Sequence, residues 1–182
     1  MSSSIGENHT KRKLAAGELA LFMGVDQMRT PNIAMIAASC GFDGVYIDLE
    51  HNPTSLESAA AICVAALGIG ITPIARVSSR DLHDATRILD CCAQGVMVPH
   101  VSTVAEANAV VESCRYPPKG HRSASGSGPA LGYAARSQAE INTYLNDEIL
   151  LTRCSKLRRR SPMPMRSRRW TESTSCTSAR RI

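Results

Sequence analysis

The 182-residue sequence predicts an α/β fold built on a parallel sheet. Short apolar runs suited to strands alternate with longer segments of helical periodicity, and this β-α-β-α order implies right-handed crossovers. Polar residues also follow successive predicted strands, as in enzymes that place their chemistry at strand ends. Four βα units and a fifth strand make half of an eight-fold (β/α)₈ barrel, or most of a small doubly wound sheet.

The elements follow one another without long gaps as far as residue 114. The predicted strands are 18–23, 45–49, 72–77, 95–98 and the start of a fifth at 148–152. The predicted helices begin at 30, 54, 81 and 103 and end near 41, 67, 92 and 114. The glycines at 68–70 and 126–132 match neither the dinucleotide fingerprint nor a phosphate loop, so they indicate turns.

Capping residues support the helix boundaries. Thr30 and Pro31 have the character of an N-cap and a first-turn proline, and Gly41 is a typical helix stop. Thr54 with Glu57 predicts a capping box for the second helix.

Composition excludes several classes of protein. Hydrophobic residues make up 43% and charged residues 20% of the chain, as in a globular domain. The longest apolar run, 59–71, is too short to cross a bilayer, and no apolar stretch follows the N-terminal charges as in a signal peptide. Seven cysteines without a C-x-x-C pattern predict reduced thiols, and Cys40, Cys63, Cys91 and Cys114 are expected to be small core residues. We therefore expect a cytoplasmic protein.

The charge is divided sharply along the chain. Residues 1–152 hold 11 Lys and Arg against 15 Asp and Glu, whereas residues 153–182 hold 10 Lys and Arg and only Glu172. Hydrophobic periodicity stops at the same point. We therefore divide the chain into an N-terminal segment 1–14, a partial barrel domain 15–152 and a basic tail 153–182.

Charged side chains cluster at predicted strand ends. In an extended strand Asp48 and Glu50 share one face, and His51 lies just past the carboxyl end. Arg76 occupies the equivalent place after the next strand. His51 and Arg76 together predict a functional site at one barrel mouth. His100 ends the fourth strand in the same way, but nothing beyond its position supports a role for it.

Five short motifs occur in order between about residues 15 and 152. They are Gly41-Phe42-Asp43 with Ile47-Asp48-x-Glu50-His51, Arg76 after its strand, Leu89-Asp90-x-x-Ala93-Gln94-Gly95, Val98-Pro99, and Arg115-Tyr116-Pro117-Pro118-x-Gly120-x-Arg122. Their order and spacing together resemble the HpcH/HpaI family of class II pyruvate-type aldolases, which includes 4-hydroxy-2-oxoheptanedioate aldolase.

The resemblance implies a (β/α)₈ barrel that binds a divalent metal (Mg²⁺, Mn²⁺ or Co²⁺) and cleaves a 4-hydroxy-2-oxo acid to pyruvate and an aldehyde. Arg76 matches the family's arginine, which supports the enolate oxygen and so binds the substrate. His51 matches the base that removes the 4-hydroxyl proton, and Asp90 matches the aspartate paired with that base. Asp90 precedes the fourth strand, at the opposite end of its own barrel. We therefore expect it to reach the site of a neighbouring subunit in a homo-oligomer.

The family's metal ligands have no counterpart in this chain. They are a Glu after the fifth strand and an Asp after the sixth, whereas no carboxylate follows Thr152 until Glu172. In a shifted reading frame, each codon takes the third base of one tail codon and the first two bases of the next. With suitable synonymous codons, the segment that starts at Arg153 then reads Val-Leu-Glu-Thr-Pro-Glu, and later Gly-Ser-Thr-Asp. Trp170-Thr171 leaves no synonymous choice and yields Asp. The pattern predicts a frameshift near Thr152.

A barrel interrupted there would have two unpaired parallel edges and one bare core face. We therefore expect the 182-residue chain to be unstable, oligomeric or aggregated, and without metal-dependent activity. Two other functions remain open from the sequence. One is a catalytically dead half-barrel that acts as an interaction module. The other is a nucleic-acid arm formed by the basic tail, although its one aromatic residue, Trp170, provides no stacking platform.

Overall fold

The computed structural model describes residues 6–78, 82–154 and 180–181. Within them five parallel strands form one sheet in the order of the chain, and a short sixth strand runs antiparallel to the fifth. The strands are β1 Phe22–Val25, β2 Gly44–Asp48, β3 Thr72–Arg76, β4 Gly95–Pro99, β5 Leu150–Cys154 and β6 Arg180–Arg181.

One helix precedes the first strand, and the others connect the parallel strands. The helices are α1 His9–Ala15, α2 Asn32–Ser39, α3 Leu56–Gly68, α4 Leu82–Asp90, α5 Val104–Cys114 and α6 Gln138–Glu148, with a 3₁₀ turn at Pro129–Leu131. The sequential strand order is that of a barrel wall, so the predicted α/β class is confirmed and the doubly wound alternative is wrong.

The main hydrophobic core lies between the sheet and the helices that connect its strands. Val45 and Ile47 of β2 are fully buried there with Ile62 of α3 and Ile88 of α4. Alternate residues point to the other face of the sheet, as the period of two requires. There Ile74 and Met97 lie outside this core cluster but are only 6% and 9% exposed.

The amino-terminal edge of the sheet is covered by α1, which the sequence analysis did not predict. Asn8, the N-cap of α1, is fully buried and donates through Nδ2 to the carbonyls of Gln94 and Glu148, at 3.1 and 2.9 Å. The Glu148 carboxylate accepts from the Asn8 backbone N–H at 2.6 Å and pairs with Arg12 at 3.0 Å. These bonds join the start of α1 to β4 and to the end of α6.

The inner face of the sheet, which was expected to be bare, is nearly inaccessible at Ile74 and Met97. The backbone N–H of Thr10 donates to the Thr72 hydroxyl at 3.4 Å, which places α1 against the amino end of β3. Farther along, the Tyr46 hydroxyl donates to the Met97 sulfur at 3.5 Å. One of the two expected open edges is also covered, because β6 pairs with β5, whereas β1 remains an edge of the described sheet.

The first strand begins later than its apolar run predicts. Leu19 and Leu21 are 75% and 51% exposed, and β1 starts only at Phe22. The reason is Asp43, whose carboxylate accepts from the Leu21 backbone N–H at 2.8 Å and from Lys13 Nζ at 2.7 Å. The Lys13 hydrogen bond, with the Leu21 N–H, holds the pKa of Asp43 below its usual value. Asp43 therefore fixes where the sheet begins.

Two predicted helix starts are also displaced by one or two residues. Pro31 is itself the N-cap of α2, and no side chain caps this helix because the proline ring has no acceptor atom. The Thr30 carbonyl accepts from the Ile33 N–H at 3.3 Å. In α3 the cap is Ser55 rather than Thr54, since the Ser55 hydroxyl accepts from the Ser58 N–H at 3.2 Å. The capping box predicted with Glu57 is therefore wrong.

The cysteines are free thiols among the described residues, as expected, but their burial varies. Cys63 and Cys114 lie in the core, and burial raises the pKa of both thiols. Cys40 is exposed because it is the C-cap of α2, so its assignment to the core is wrong. No helix in the described ranges is both long and apolar enough to span a membrane.

The basic tail lies almost wholly outside the described residues, as do Asp81, Trp170 and Glu172. The proposed boundary at residue 152 therefore stays a prediction. So do the nucleic-acid and interaction-module alternatives.

Candidate functional site at the carboxyl edge of the sheet

Arg76 links the ends of two neighbouring strands. Asp48 and Arg76 are register partners at the carboxyl ends of β2 and β3. Arg76 Nε and Nη2 donate to the two oxygens of Asp48 at 2.8 and 2.5 Å, and Nη1 lies 3.2 Å from Glu50 Oε2. Both carboxylates are nearly inaccessible, at 7% and 10% side-chain exposure. The Arg76 guanidinium therefore offsets part of the negative charge of the two buried carboxylates.

Asp48 is held in its ionised form. Burial opposes that ionisation, but hydrogen bonds from Arg76 and from the Glu50 N–H outweigh it, so the pKa of Asp48 lies below its usual value. The same bond to Asp48, opposed by burial, raises the pKa of Arg76 further above its already high value. Asn52 donates to the second Asp48 oxygen at 3.2 Å. The turn after β2 is thus folded around this carboxylate.

Glu50 is the centre of the site. Its Oε2 atom lies 3.2 Å from Arg76 Nη1 and 3.6 Å from His51 Nε2. Its Oε1 atom lies 3.1 Å from His100 Nε2. The structure therefore brings His51 and Arg76 to one oxygen atom, at the strand ends where the sequence analysis placed them.

His100 was set aside in the sequence analysis, yet it lies in this cluster. It follows β4 directly and adopts a left-handed backbone conformation with φ 59°. That conformation directs its ring across the edge to Glu50, which follows β2. Its only sequence signal was its equivalence to His51 and Arg76 as a residue at a strand end. For Glu50, the strongest sequence signal was that it shares a strand face with Asp48.

Tyr46 forms part of the inner wall below the charged cluster. The Arg76 guanidinium carbon lies 5.9 Å from the centre of its ring. Burial raises the pKa of Tyr46 to about 12, although the charge of Arg76 opposes this shift. The phenol therefore stays protonated at neutral pH and acts as a hydrogen-bond donor beside Arg76.

Asp90 lies apart from this cluster within the same chain. It is the last residue of α4, before β4, and therefore at the amino-terminal edge. Its Oδ1 atom accepts from Arg122 Nη2 at 2.6 Å, while its side chain is 44% exposed in a groove of about 270 Å³. The structure does not bring Asp90 together with His51 and Arg76. Its place in a neighbouring subunit's site stays a prediction.

The motif that contains Arg122 is a loop that holds this arginine rigidly. Tyr116 exchanges hydrogen bonds with Asn146 at 2.8 and 3.0 Å, which ties the loop to α6. The Arg122 guanidinium stacks on the Tyr116 ring at 4.6 Å. Gly120 is required here, because a Cβ atom would meet the carbonyl oxygens of Glu112 and Arg115. Arg122 is consequently only 3% exposed beside the accessible Asp90 carboxylate.

The residues at the carboxyl edge do not form a metal site on their own. Both Asp48 oxygens accept hydrogen bonds from Arg76, and both Glu50 oxygens face Arg76 or an imidazole. Each carboxylate oxygen already has a partner, and a dication would have to displace the guanidinium. Across the part of the chain that is described, no group of three or more His, Cys, Asp or Glu side chains could hold a metal ion.

The order of the strands and the arginine–carboxylate cluster can be compared with known proteins. The HpcH/HpaI aldolase/citrate lyase family model matches residues 20–151. The chain belongs to this family. The crystal structure of an HpcH/HpaI aldolase from Desulfitobacterium hafniense superposes with a TM-score of 0.73 at 28% identity, covering 79% of this chain and 55% of that one. The fold is thus a partial barrel of the HpcH/HpaI type.

Curated relatives of this HpcH/HpaI chain are aldolases. A 4-hydroxy-4-methyl-2-oxoglutarate aldolase of Chaetomium globosum is 42% identical over 140 residues, which are 76% of this chain and 52% of the relative. A hydroxypyruvate/pyruvate aldolase of Deinococcus radiodurans is 36% identical over 148 residues, which are 79% of this chain and 51% of the relative. The chain therefore spans about half the length of these relatives.

Proposed function

We propose that the carboxyl-edge cluster is the proton-handling and anion-binding half of an aldolase site that cleaves a 4-hydroxy-2-oxo acid to pyruvate and an aldehyde or ketone. The observation that supports this most directly is the meeting of His51 and Arg76 at one oxygen of Glu50. This arrangement places a cation and a base side by side, which a retro-aldol reaction needs.

Arg76 is suited to bind the 2-oxo acid and to stabilise the enolate oxygen. A guanidinium has five N–H donors: Nε and Nη2 each donate one to Asp48, and Nη1 faces Glu50 at 3.2 Å with a third. Two N–H groups are left for a substrate oxygen. The carboxylates fix the plane of the guanidinium before substrate arrives, so little reorganisation is needed as negative charge develops.

His51 is suited to accept the proton of the 4-hydroxyl group. Its ring is 67% exposed at the mouth of the site, and its Nε2 atom lies 3.6 Å from the Glu50 carboxylate, which would face the imidazolium that forms. Loss of that proton lets the C3–C4 bond break, with the electron pair passing into the pyruvate enolate. Glu50 therefore couples the base to the cation that stabilises the product.

The family resemblance further implies a divalent metal, and the described residues do not fit one. We propose that its ligands are encoded in the shifted frame after Thr152, which suitable synonymous codons let read with the expected Glu and Asp. Residues 153–182 would then be an out-of-frame product, and the 182-residue chain would have no metal-dependent activity.

The test is to sequence the gene across the codons for Leu151–Lys156 and to restore the frame. We expect the restored protein to release pyruvate from 4-hydroxy-4-methyl-2-oxoglutarate with Mg²⁺ or Mn²⁺, and the 182-residue chain to release none. Replacing Arg76 by Lys in the restored protein should slow release by about 10²-fold, because a planar two-point donor is lost. Metal-dependent release by the 182-residue chain, or none after restoration, would contradict the proposal.

We further propose that Asp90 completes the site of a neighbouring subunit, which makes the protein a homo-oligomer. In the restored protein, Asp90→Asn and His51→Asn should each be inactive, and mixing them should return activity, because some sites then combine an intact His51 with an intact Asp90. The matched control mixes His51→Asn with Arg76→Lys, two changes in the same chain's half of the site. Activity should not return there beyond that of the separate variants. Equal recovery in both mixtures would exclude the shared site.

A further inference from the structure

The carboxyl edge holds two imidazoles on one carboxylate, and the proposed function uses only one of them. His51 faces Glu50 Oε2 at 3.6 Å and His100 faces Glu50 Oε1 at 3.1 Å. Glu50 therefore stands between the two rings and presents a different oxygen to each. A carboxylate in this position can take a proton from one ring on the oxygen that faces it and, once the carboxyl group has turned, give that proton to the other ring.

The backbone at His100 indicates that this placement is specific. Its φ of 59° lies in the left-handed region, where a Cβ atom crowds the backbone and which few residues other than glycine adopt. Such conformations persist where the surrounding structure imposes them, and they cluster at functional sites. His100 comes directly after Pro99, the last residue of β4, so a regular continuation of the strand would not turn the ring back toward Glu50.

The two rings differ in how firmly they are held. The distance from His100 to Glu50 is that of a hydrogen bond, whereas 3.6 Å for His51 is slightly longer than one. Both rings are accessible, at 67% for His51 and 55% for His100. Catalytic hydrogen bonds are often long before substrate binds. The charged groups around the rings are Asp48 and Arg76, and these neutralise each other in part.

We propose that His51, Glu50 and His100 form one proton-sharing unit, in which His51 takes the proton of the 4-hydroxyl group and His100 delivers a proton to the enolate carbon. This inference rests on the proposed function. Cleavage of the C3–C4 bond leaves the electron pair in the enolate and turns the 4-hydroxyl carbon into a carbonyl. His100 then protonates C3, which becomes the methyl group of pyruvate. The proton on His51 returns to His100 through Glu50, so one proton moves and nothing is oxidised or reduced.

The unit can be tested on the 182-residue chain without any turnover, by comparing the ring signals of His51 and His100 by NMR at one pH. Because each ring faces one oxygen of the same carboxylate, a change at one ring should reach the other through Glu50. We expect His51→Asn to shift the ring signals of His100, and His100→Asn to shift those of His51. In Glu50→Gln neither histidine change should affect the other ring, while His9→Asn, on α1 at the opposite edge, should leave both rings unchanged. Ring signals of His100 that do not respond to His51→Asn would overturn the unit.

A second measurement separates the unit from the proposed function. Pyruvate is incubated with the frame-restored protein and Mg²⁺ in D₂O, and deuterium in its methyl group is followed. We expect His100→Asn to slow this exchange at least tenfold and His9→Asn to leave it unchanged. Exchange that is undiminished in His100→Asn overturns the role of His100. If the restored protein shows linked ring signals and no exchange, the aldolase proposal fails and the proton-sharing unit stands.

Discussion

Replacing Arg76 by Met should lower the free energy of unfolding by about 3 kcal/mol near pH 7. The change leaves Asp48 and Glu50 buried next to each other without their shared cation, and breaking a buried ion pair costs about 3–5 kcal/mol. We choose the low end because the Arg76 side chain is 18% exposed. Urea denaturation should show a lower midpoint with an unchanged slope. Met keeps most of the volume of the stem, so the loss reports charge and hydrogen bonds rather than a cavity.

The loss of stability caused by Arg76→Met should become smaller as the pH is lowered. The pKa of Asp48 is lowered in the folded chain, so its contribution to stability is present above its unfolded pKa of about 4 and is lost as pH falls through the folded value. The difference between the unchanged chain and Arg76→Met should therefore be largest at neutral pH and should shrink as the pH falls below about 4. Arg87→Met, on an exposed position of α4, is the matched control and should change stability by less than about 0.5 kcal/mol. A deficit that stays constant down to pH 2 would show that packing, and not the ion pair, is responsible.

Replacing Asn8 by Asp should destabilise the chain by about 3–5 kcal/mol. Asn8 donates two hydrogen bonds from a fully buried amide to the carbonyls of Gln94 and Glu148. An aspartate would turn that amide into a charged acceptor facing two carbonyls, close to the Glu148 carboxylate. A buried group of this kind loses its hydrogen bonds and its hydration together. Asn8→Ala should cost less, about 2 kcal/mol, because it removes the bonds without adding a charge.

The same pair of variants tests whether α1 is an integral part of the fold. The urea midpoint should be lower in Asn8→Ala than in the unchanged chain, and lower still in Asn8→Asp. In both variants the backbone amides of α1 should be the first to lose protection from hydrogen exchange. His9→Ala, the neighbouring position on the same helix, should lie within about 0.5 kcal/mol of the unchanged chain. If Asn8→Asp were as stable as His9→Ala, α1 would contribute nothing to the closure of the sheet.

The alternation of strands and helices from β1 to α5 was predictable because each of these elements has its own local signal, whereas α1 and α6 were not predicted. Val45 and Ile47 mark a strand with one face toward the helices, and Thr103 with Glu106 forms the capping box that starts α5. The N-terminal helix was missed because α1 is short and rich in Lys and Arg. Its stability comes from Asn8, Arg12 and Glu148, and Glu148 lies 140 residues from Asn8. No local pattern contains that pairing.

Half of the cluster could be found from the sequence in the same way. Asp48, His51 and Arg76 follow the ends of successive strands, and parallel strands bring their carboxyl ends to one edge. His100 satisfied the same condition but was set aside, because a single histidine at a strand end is more often a solvated residue. The contact of His100 with Glu50 depends on a left-handed backbone turn at His100 and on the rotamer of Glu50. Neither is recorded in residue type or spacing.

Residue order alone was sufficient to assign the α/β class, the family and the strand ends where the charged residues collect, because hydrophobic period and capping act within a few residues of one another. The meeting of two imidazoles and a guanidinium on Glu50, and the separation of Asp90 from them, required the folded chain. These distances depend on strand register and on turns between residues that are far apart in sequence, and both are set when the sheet is assembled.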